Sequence, residues 1–261
     1  MSMTNPTNPP AKALITDDVK FETGAGGLTR IAIHTPDADA HVYLRGGHVT
    51  HYQPKGQPPV LFMSRASQFT PGKAIRGGVP VIFPWFGPRA GDAAAPMHGF
   101  ARTVEWTARA VEPAGSAVGV TLALTSSEET RRWFPHDFEL LYTICVGPTL
   151  ELTLEVRNCS NAEFTFEEAL HTYLTVGDVR QATIDGLDGR TFIDKTAAMA
   201  RTRQAGPFRI ERETDRVYLD TPDDVHVADP VHRRRLSVAK SGSQSTVVWN
   251  PWVDKAKALP D

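Results

Sequence analysis

Strict alternation of apolar and polar side chains, Leu150-Glu151-Leu152-Thr153-Leu154-Glu155-Val156, is the feature that most narrows what this chain can fold into. A period of two sends successive side chains to opposite faces of a sheet, so one face is buried and the other meets water. Val118, Val120, Leu122 and Leu124 repeat the pattern between small or polar residues, and similar short runs begin at Ile31 and Ile33, Val42 and Leu44, and Val104 and Trp106. Further strands are predicted over residues 60–63, 138–146, 164–166, 216–219, 236–239 and 246–249. Turn-forming clusters at 24–27, 46–47, 113–116, 185–189 and 221–224 separate them. Helix is predicted only over 126–133, where serines and acidic residues precede a basic end and Pro135. Many short strands with turn punctuation predict an all-β sandwich, read as one domain over 13–261 behind a disordered tail at 1–12.

The composition excludes several classes. Lys and Arg number 28 against 30 Asp and Glu, a formal charge of -2, so no lopsided field points to nucleic acid or a membrane surface as partner. With 41% hydrophobic residues the chain is too apolar for intrinsic disorder. Cys145 and Cys159 are too few for a disulfide framework and sit in no metal-type spacing, which points to the cytoplasm. No apolar run has the length needed to cross a bilayer, and the polar N-terminus is unlike a secretory signal. Nucleotide-dependent and serine-hydrolase chemistry lack their motifs: there is no GxGxxG leading into a helix, no P-loop, no HExxH and no GxSxG.

Candidate chemistry gathers in a few segments. Arg76-Gly77-Gly78-Val79-Pro80 opens a loop that runs through Phe83-Pro84-Trp85-Phe86-Gly87 and closes on His98-Gly99-Phe100-Ala101-Arg102. Pro80, Pro84 and Pro88 fix its direction while the glycines allow close approach, so a stiff, irregular loop is expected. Arg76 and Arg102 each offer a planar fork of donors to a phosphate or sugar hydroxyls; solvated or carboxylate-paired arginines are the alternative reading. His171 follows a strand-like run in Glu167-Glu168-Ala169-Leu170-His171-Thr172-Tyr173, and an imidazole can pass a proton near neutral pH. On their own, His171 and His98 read more often as hydrogen-bonded core or surface histidines. Asp215, in Glu213-Thr214-Asp215, could accept bonds from sugar hydroxyls or simply hold a turn. Trp249-Asn250-Pro251-Trp252 offers aromatic faces for a pocket or for the core.

Taken in order, Arg76-Gly-Gly-Val-Pro, His98-Gly-Phe-Ala-Arg102, His171-Thr-Tyr, Glu213-Thr-Asp215 and Trp249-Asn-Pro-Trp252 resemble the glucose-6-phosphate 1-epimerase (hexose-6-phosphate mutarotase) branch of the aldose 1-epimerase superfamily. The resemblance implies a galactose-mutarotase-like β-supersandwich acting on hexose 6-phosphates, without metal or organic cofactor. It implies His171 as general acid, Arg76 and Arg102 on the substrate and its phosphate, Asp215 on sugar hydroxyls and His98 beside the substrate. Met97 departs from the pattern, which has Gln there; a thioether supplies none of an amide's donors.

The implied reaction opens and recloses a hemiacetal. A base takes the proton of the anomeric hydroxyl while an acid protonates the ring oxygen, and closure reverses the roles. In the resembled family the base is a Glu on a strand downstream of Trp-Asn-Pro-Trp, whereas here no Glu follows Glu213. Truncation relative to such proteins, with loss of terminal strands and of that base, is therefore expected, and a sugar-phosphate-binding module without activity is the alternative function. Nothing in the sequence bears on oligomeric state.

Overall fold

The computed structural model describes residues 15–259, so the expected tail at 1–12 lies outside the described residues. They fall into two compact units that divide after Leu174. The first holds β1 (Val19–Thr23), β2 (Thr29–His34), β3 (Ala38–Tyr43) and β4 (His48–Pro54), which form one antiparallel sheet in that order. A second sheet is β6 (Thr107–Ala114), β7 (Ala117–Thr125), β8 (Phe138–Val146) and β9 (Leu150–Asn158). The short strands β5 (Val81–Ile82) and β10 (Ala169–Leu170) pair with each other.

The alternation explains the core. Phe138, Leu140, Tyr142, Ile144 and Val146 of β8 are fully or almost fully buried, and so are Val120 and Leu122 of the neighbouring β7. They share one cluster with Val19, Ile31, Ile33, Ala40, Val42 and Val49 of the other sheet, so the two sheets pack as a sandwich. The Tyr52 hydroxyl crosses between them to donate to the Gly147 carbonyl at 2.9 Å. In β9 the alternating leucines are only half-buried, because the strand forms the margin of its sheet.

The single predicted helix is present as one turn, α1 (Glu128–Arg131), closed by a capping box in which Ser127 accepts from Thr130 N and the Thr130 hydroxyl accepts from Ser127 N. Three expectations need correction: residues 60–63 form no continuous strand and take part only in isolated bridges, at Leu61 and Met63. Residues 164–166 form no strand; Phe164 and Phe166 are tied down through their rings, Phe164 against Phe134 and Phe166 against Phe83. Residues 104–106 precede β6, after a 3-10 turn at Ala101–Thr103 that spends its local bonds on the Phe100 carbonyl.

In the second unit, β12 (Thr191–Asp194), β13 (Ala200–Arg203), β14 (Thr214–Leu219) and β17 (Ser245–Asn250) form a sheet in the order β13-β12-β14-β17. A three-stranded sheet is built from β11 (Thr183–Asp185), β15 (Val225–Asp229) and β16 (Arg234–Val238). The unit closes with α2 (Trp252–Ala258), a helix that the sequence reading did not anticipate. Both cysteines are free, and no described helix is long and apolar enough to cross a membrane.

Phe83 is the aromatic hub of the first unit: wholly buried, with ring centroids 5.2–6.1 Å from Phe100, Phe134, Phe138 and Phe166. Phe83→Ala is expected to destabilise the unit by about 3–5 kcal/mol, the cost of an aromatic-sized core deletion. Chemical denaturation checks this, and a loss below about 1 kcal/mol would show that the cluster repacks.

Candidate active site

Three segments distant in sequence are laced together by main-chain bonds in the first unit. Residues 76–84 run as an irregular, largely buried strand. On one side, Val79 N donates to the Val49 carbonyl of β4 at 2.9 Å. On the other, His171 N donates to the Pro80 carbonyl at 3.0 Å and Tyr173 N to the Gly78 carbonyl at 2.9 Å. The 98–102 segment then docks on the Phe83 carbonyl, which accepts from Phe100 N at 3.1 Å and Ala101 N at 3.3 Å. Gly99 is required at this crossing: its φ is +70°, and a Cβ would stand 2.0 Å from the Phe83 oxygen. The strand pairing therefore places Arg76, Arg102, His98 and His171 on three neighbouring segments.

Two of these side chains, Arg102 and His98, are oriented by local bonds. Arg102 donates from Nη2 to the Met97 carbonyl at 2.7 Å. Met97, half-exposed, thus contributes through its main chain, and its thioether is not needed for that contact. His98 sits at φ +63°, a left-handed conformation that costs a non-glycine residue roughly 1 kcal/mol. Gly87 holds it there from both sides: His98 N donates to the Gly87 carbonyl at 2.8 Å, and Gly87 N donates to His98 Nδ1 at 2.9 Å. A ring nitrogen that accepts from a backbone N–H carries no proton, so the neutral ring presents Nε2–H as its donor. The His98 and His171 ring centroids lie 6.2 Å apart, and Tyr173 packs on His171 at 4.6 Å.

The electrostatics match this gathering. Burial, followed by the positive fields of Arg102 and Arg76, pulls the His171 pKa down to about 4. His48 is wholly buried at the start of β4, and burial likewise takes it to about 4, with Arg102 and His171 pressing the same way. The sequence reading missed His48, whose placement after Gly46-Gly47 gave no hint of chemistry. It missed Glu167 too, whose Oε2 accepts from Phe86 N at 2.8 Å and so pins the loop.

Asp215 belongs to the second unit, on β14 in register with Trp249 of β17. Its carboxylate lies 3.8 Å from Lys195 Nζ, and burial raises its pKa despite the opposing Lys195 charge. Trp249 and Asn250 end β17, and the Asn250 side chain accepts from Trp252 N at 2.8 Å, where α2 begins. Among the described residues, no three His, Cys, Asp or Glu side chains gather in a way that could hold a metal ion.

His41, His48 and His171 are each held near pKa 4 against an ordinary 6.5, chiefly by burial. Between those values the unfolded chain binds protons that the folded chain refuses. Their contribution to stability is therefore complete above pH 6.5 and is lost as pH falls towards 4. The melting temperature is expected to drop through that window, and less steeply in His48→Gln; calorimetry across it provides the check, and a flat profile would contradict the assignment.

Comparison with known proteins adds the lineage. The family model for aldose 1-epimerase matches residues 29–261. A protein of Escherichia coli (strain K12) named "Putative glucose-6-phosphate 1-epimerase" is 40% identical over 225 residues, covering 86% of this chain and 74% of its own. The crystal structure of YeaD, a "putative mutarotase" from Salmonella typhimurium, superposes with a TM-score of 0.85 at 36% identity, covering 91% of this chain and 78% of its own. A galactose mutarotase-like protein from Clostridium acetobutylicum shares the fold at 16% identity, with a TM-score of 0.70 over 92% of this chain and 85% of its own. The all-β architecture is thus that of the galactose mutarotase-like proteins, and the chain belongs to the aldose 1-epimerase family.

Proposed function

We propose that this chain binds hexose 6-phosphates and interconverts their α and β anomers. The observation that carries the reading is the main-chain pairing that brings the segments of Arg76, residues 98–102 and His171 side by side, with the charges of Arg102 and Arg76 acting on His171. A dianionic phosphate ester is the ligand that offsets such a pair of cations, and the forked donors of arginine suit its oxygens. The phosphate makes and breaks no bond; gripping it positions the pyranose, so that remote binding energy serves the reacting centre. His171 then gives a proton to the ring oxygen as the C1–O5 bond breaks, while solvent water takes the proton of the anomeric hydroxyl as it becomes the carbonyl. Rotation about C1–C2 and reclosure return His171 its proton. His98 Nε2–H donates to a sugar oxygen.

Charge explains how His171 is armed. In the free protein burial first, and then the charges of both arginines, keep the imidazole neutral at pH 7. Phosphate bound between the arginines offsets their part of that shift, so the pKa climbs and His171 is easier to protonate in the complex. NMR titration of His171 is expected to show its pKa rising on addition of glucose 6-phosphate and moving far less with glucose; an unchanged pKa would refute the phosphate site.

Saturation-transfer NMR on the anomers of glucose 6-phosphate tests the reaction itself. Exchange above the buffer rate is expected, falling about 100-fold to 10,000-fold in His171→Asn if the imidazole is the acid. Arg76→Ala or Arg102→Ala is expected to weaken phosphorylated sugars far more than free ones. Tight binding of glucose 6-phosphate with no exchange above buffer would identify a sugar-phosphate-binding module instead.

A further inference from the structure

His48 Nε2 lies 2.7 Å from the Gly77 carbonyl, one residue beyond Arg76. A carbonyl only accepts, so Nε2 carries the ring proton and Nδ1 is bare. Among the described residues Nδ1 has no hydrogen-bond partner, so the bond to Gly77 is the one polar tie this side chain makes. The neighbouring peptide groups are fully engaged: Gly78 N donates to the Phe62 carbonyl at 2.7 Å, and the Gly78 carbonyl accepts from Tyr173 N at 2.9 Å. Gly78 turns at φ +61°, and a Cβ there would stand 2.2 Å from the Val49 oxygen and 2.9 Å from His48 Nε2. The peptides leaving Arg76 are therefore wedged between β4 and the 171–173 segment with no slack.

From this geometry we infer that His48 is a positioning residue for the site: its Nε2–H fixes the Gly77 peptide and, through it, the register of Arg76 against His171. It acts through the main chain, by its bond to the Gly77 carbonyl. The burial that keeps the ring neutral keeps this donor on Nε2 through the physiological range. The inference rests on the phosphate-gripping role of Arg76 proposed above, and it explains a buried polar side chain that the chemistry of ring opening does not itself require. A buried carbonyl without its donor is a costly defect, so the peptide is expected to turn when the donor is removed.

The test compares His48→Leu, which removes the donor, His48→Asn, which draws it back, and His48→Gln, whose amide reaches the same carbonyl. Calorimetric binding of glucose 6-phosphate and of glucose is measured on each, with ligand-free amide chemical shifts of Arg76, Gly78, His171 and Tyr173. Affinity for the phosphate ester is expected to fall roughly tenfold in the Leu and Asn variants and to return in Gln, as for a lost buried donor. Glucose affinity is expected to change much less, and the four amides to shift in Leu and Asn only. If Leu does not fold, Asn carries the comparison. Unchanged amides in a folded donor-less variant would overturn the inference, as would an equal loss for both sugars. Wild-type protein that binds no glucose 6-phosphate, while the amides still shift, would instead sink the functional reading and leave the link from His48 to Arg76 standing.

Discussion

Everything at the site hangs on one buried ladder of main-chain bonds, in which the strand leading from Arg76 to Pro84 is held by β4 along one margin and by residues 167–173 along the other. A segment gripped on both sides cannot slide, because a slip of one residue would turn every alternate side chain to the wrong face. Arg76, His98, Arg102 and His171 owe their convergence to this ladder. The prolines and glycines that look irregular in sequence are what the crossing demands: Gly99 admits the Phe83 carbonyl, and Glu167 reaches across to hold Phe86.

Gathering cations and imidazoles in a partly buried space has an electrostatic cost. The protein limits it by keeping the histidines neutral and by giving fixed polar partners to the groups it orients: Arg102 to the Met97 carbonyl, His98 to Gly87, His48 to Gly77. Under the proposed function the charges of Arg76 and Arg102 face the phosphate of the substrate, and whatever offsets those charges also eases the protonation of His171.

The legible parts of the fold were those with local causes. β7, β8 and β9 follow from alternation alone, and α1 from the serine and acidic residues at its start. The segment 164–166 misled because two phenylalanines spaced by two read as a strand while tertiary ring packing, with no ladder partner, is what orders them. α2 escaped notice because Pro251 looks like a breaker, although a helix tolerates proline at its first positions, where no intrahelical donor is needed. Of the site, the two arginines, His98 and His171 were visible as motif members; His48 and Glu167 were not, since a buried imidazole and a surface carboxylate become informative only once their partners, Gly77 and Phe86, are brought beside them.

Sequence by itself determined that this chain builds antiparallel sheets and where most of their strands run, because period and turn chemistry are properties of neighbouring residues. Only the tertiary structure decided that Arg76, Arg102 and His171 share one electrostatic neighbourhood, that His98 presents Nε2–H, and that His48 bonds the peptide beside Arg76. Those facts depend on which strand lies against which, and pairing between residues 48, 77, 98 and 171 is fixed by closure of the whole sandwich rather than by anything written at those positions.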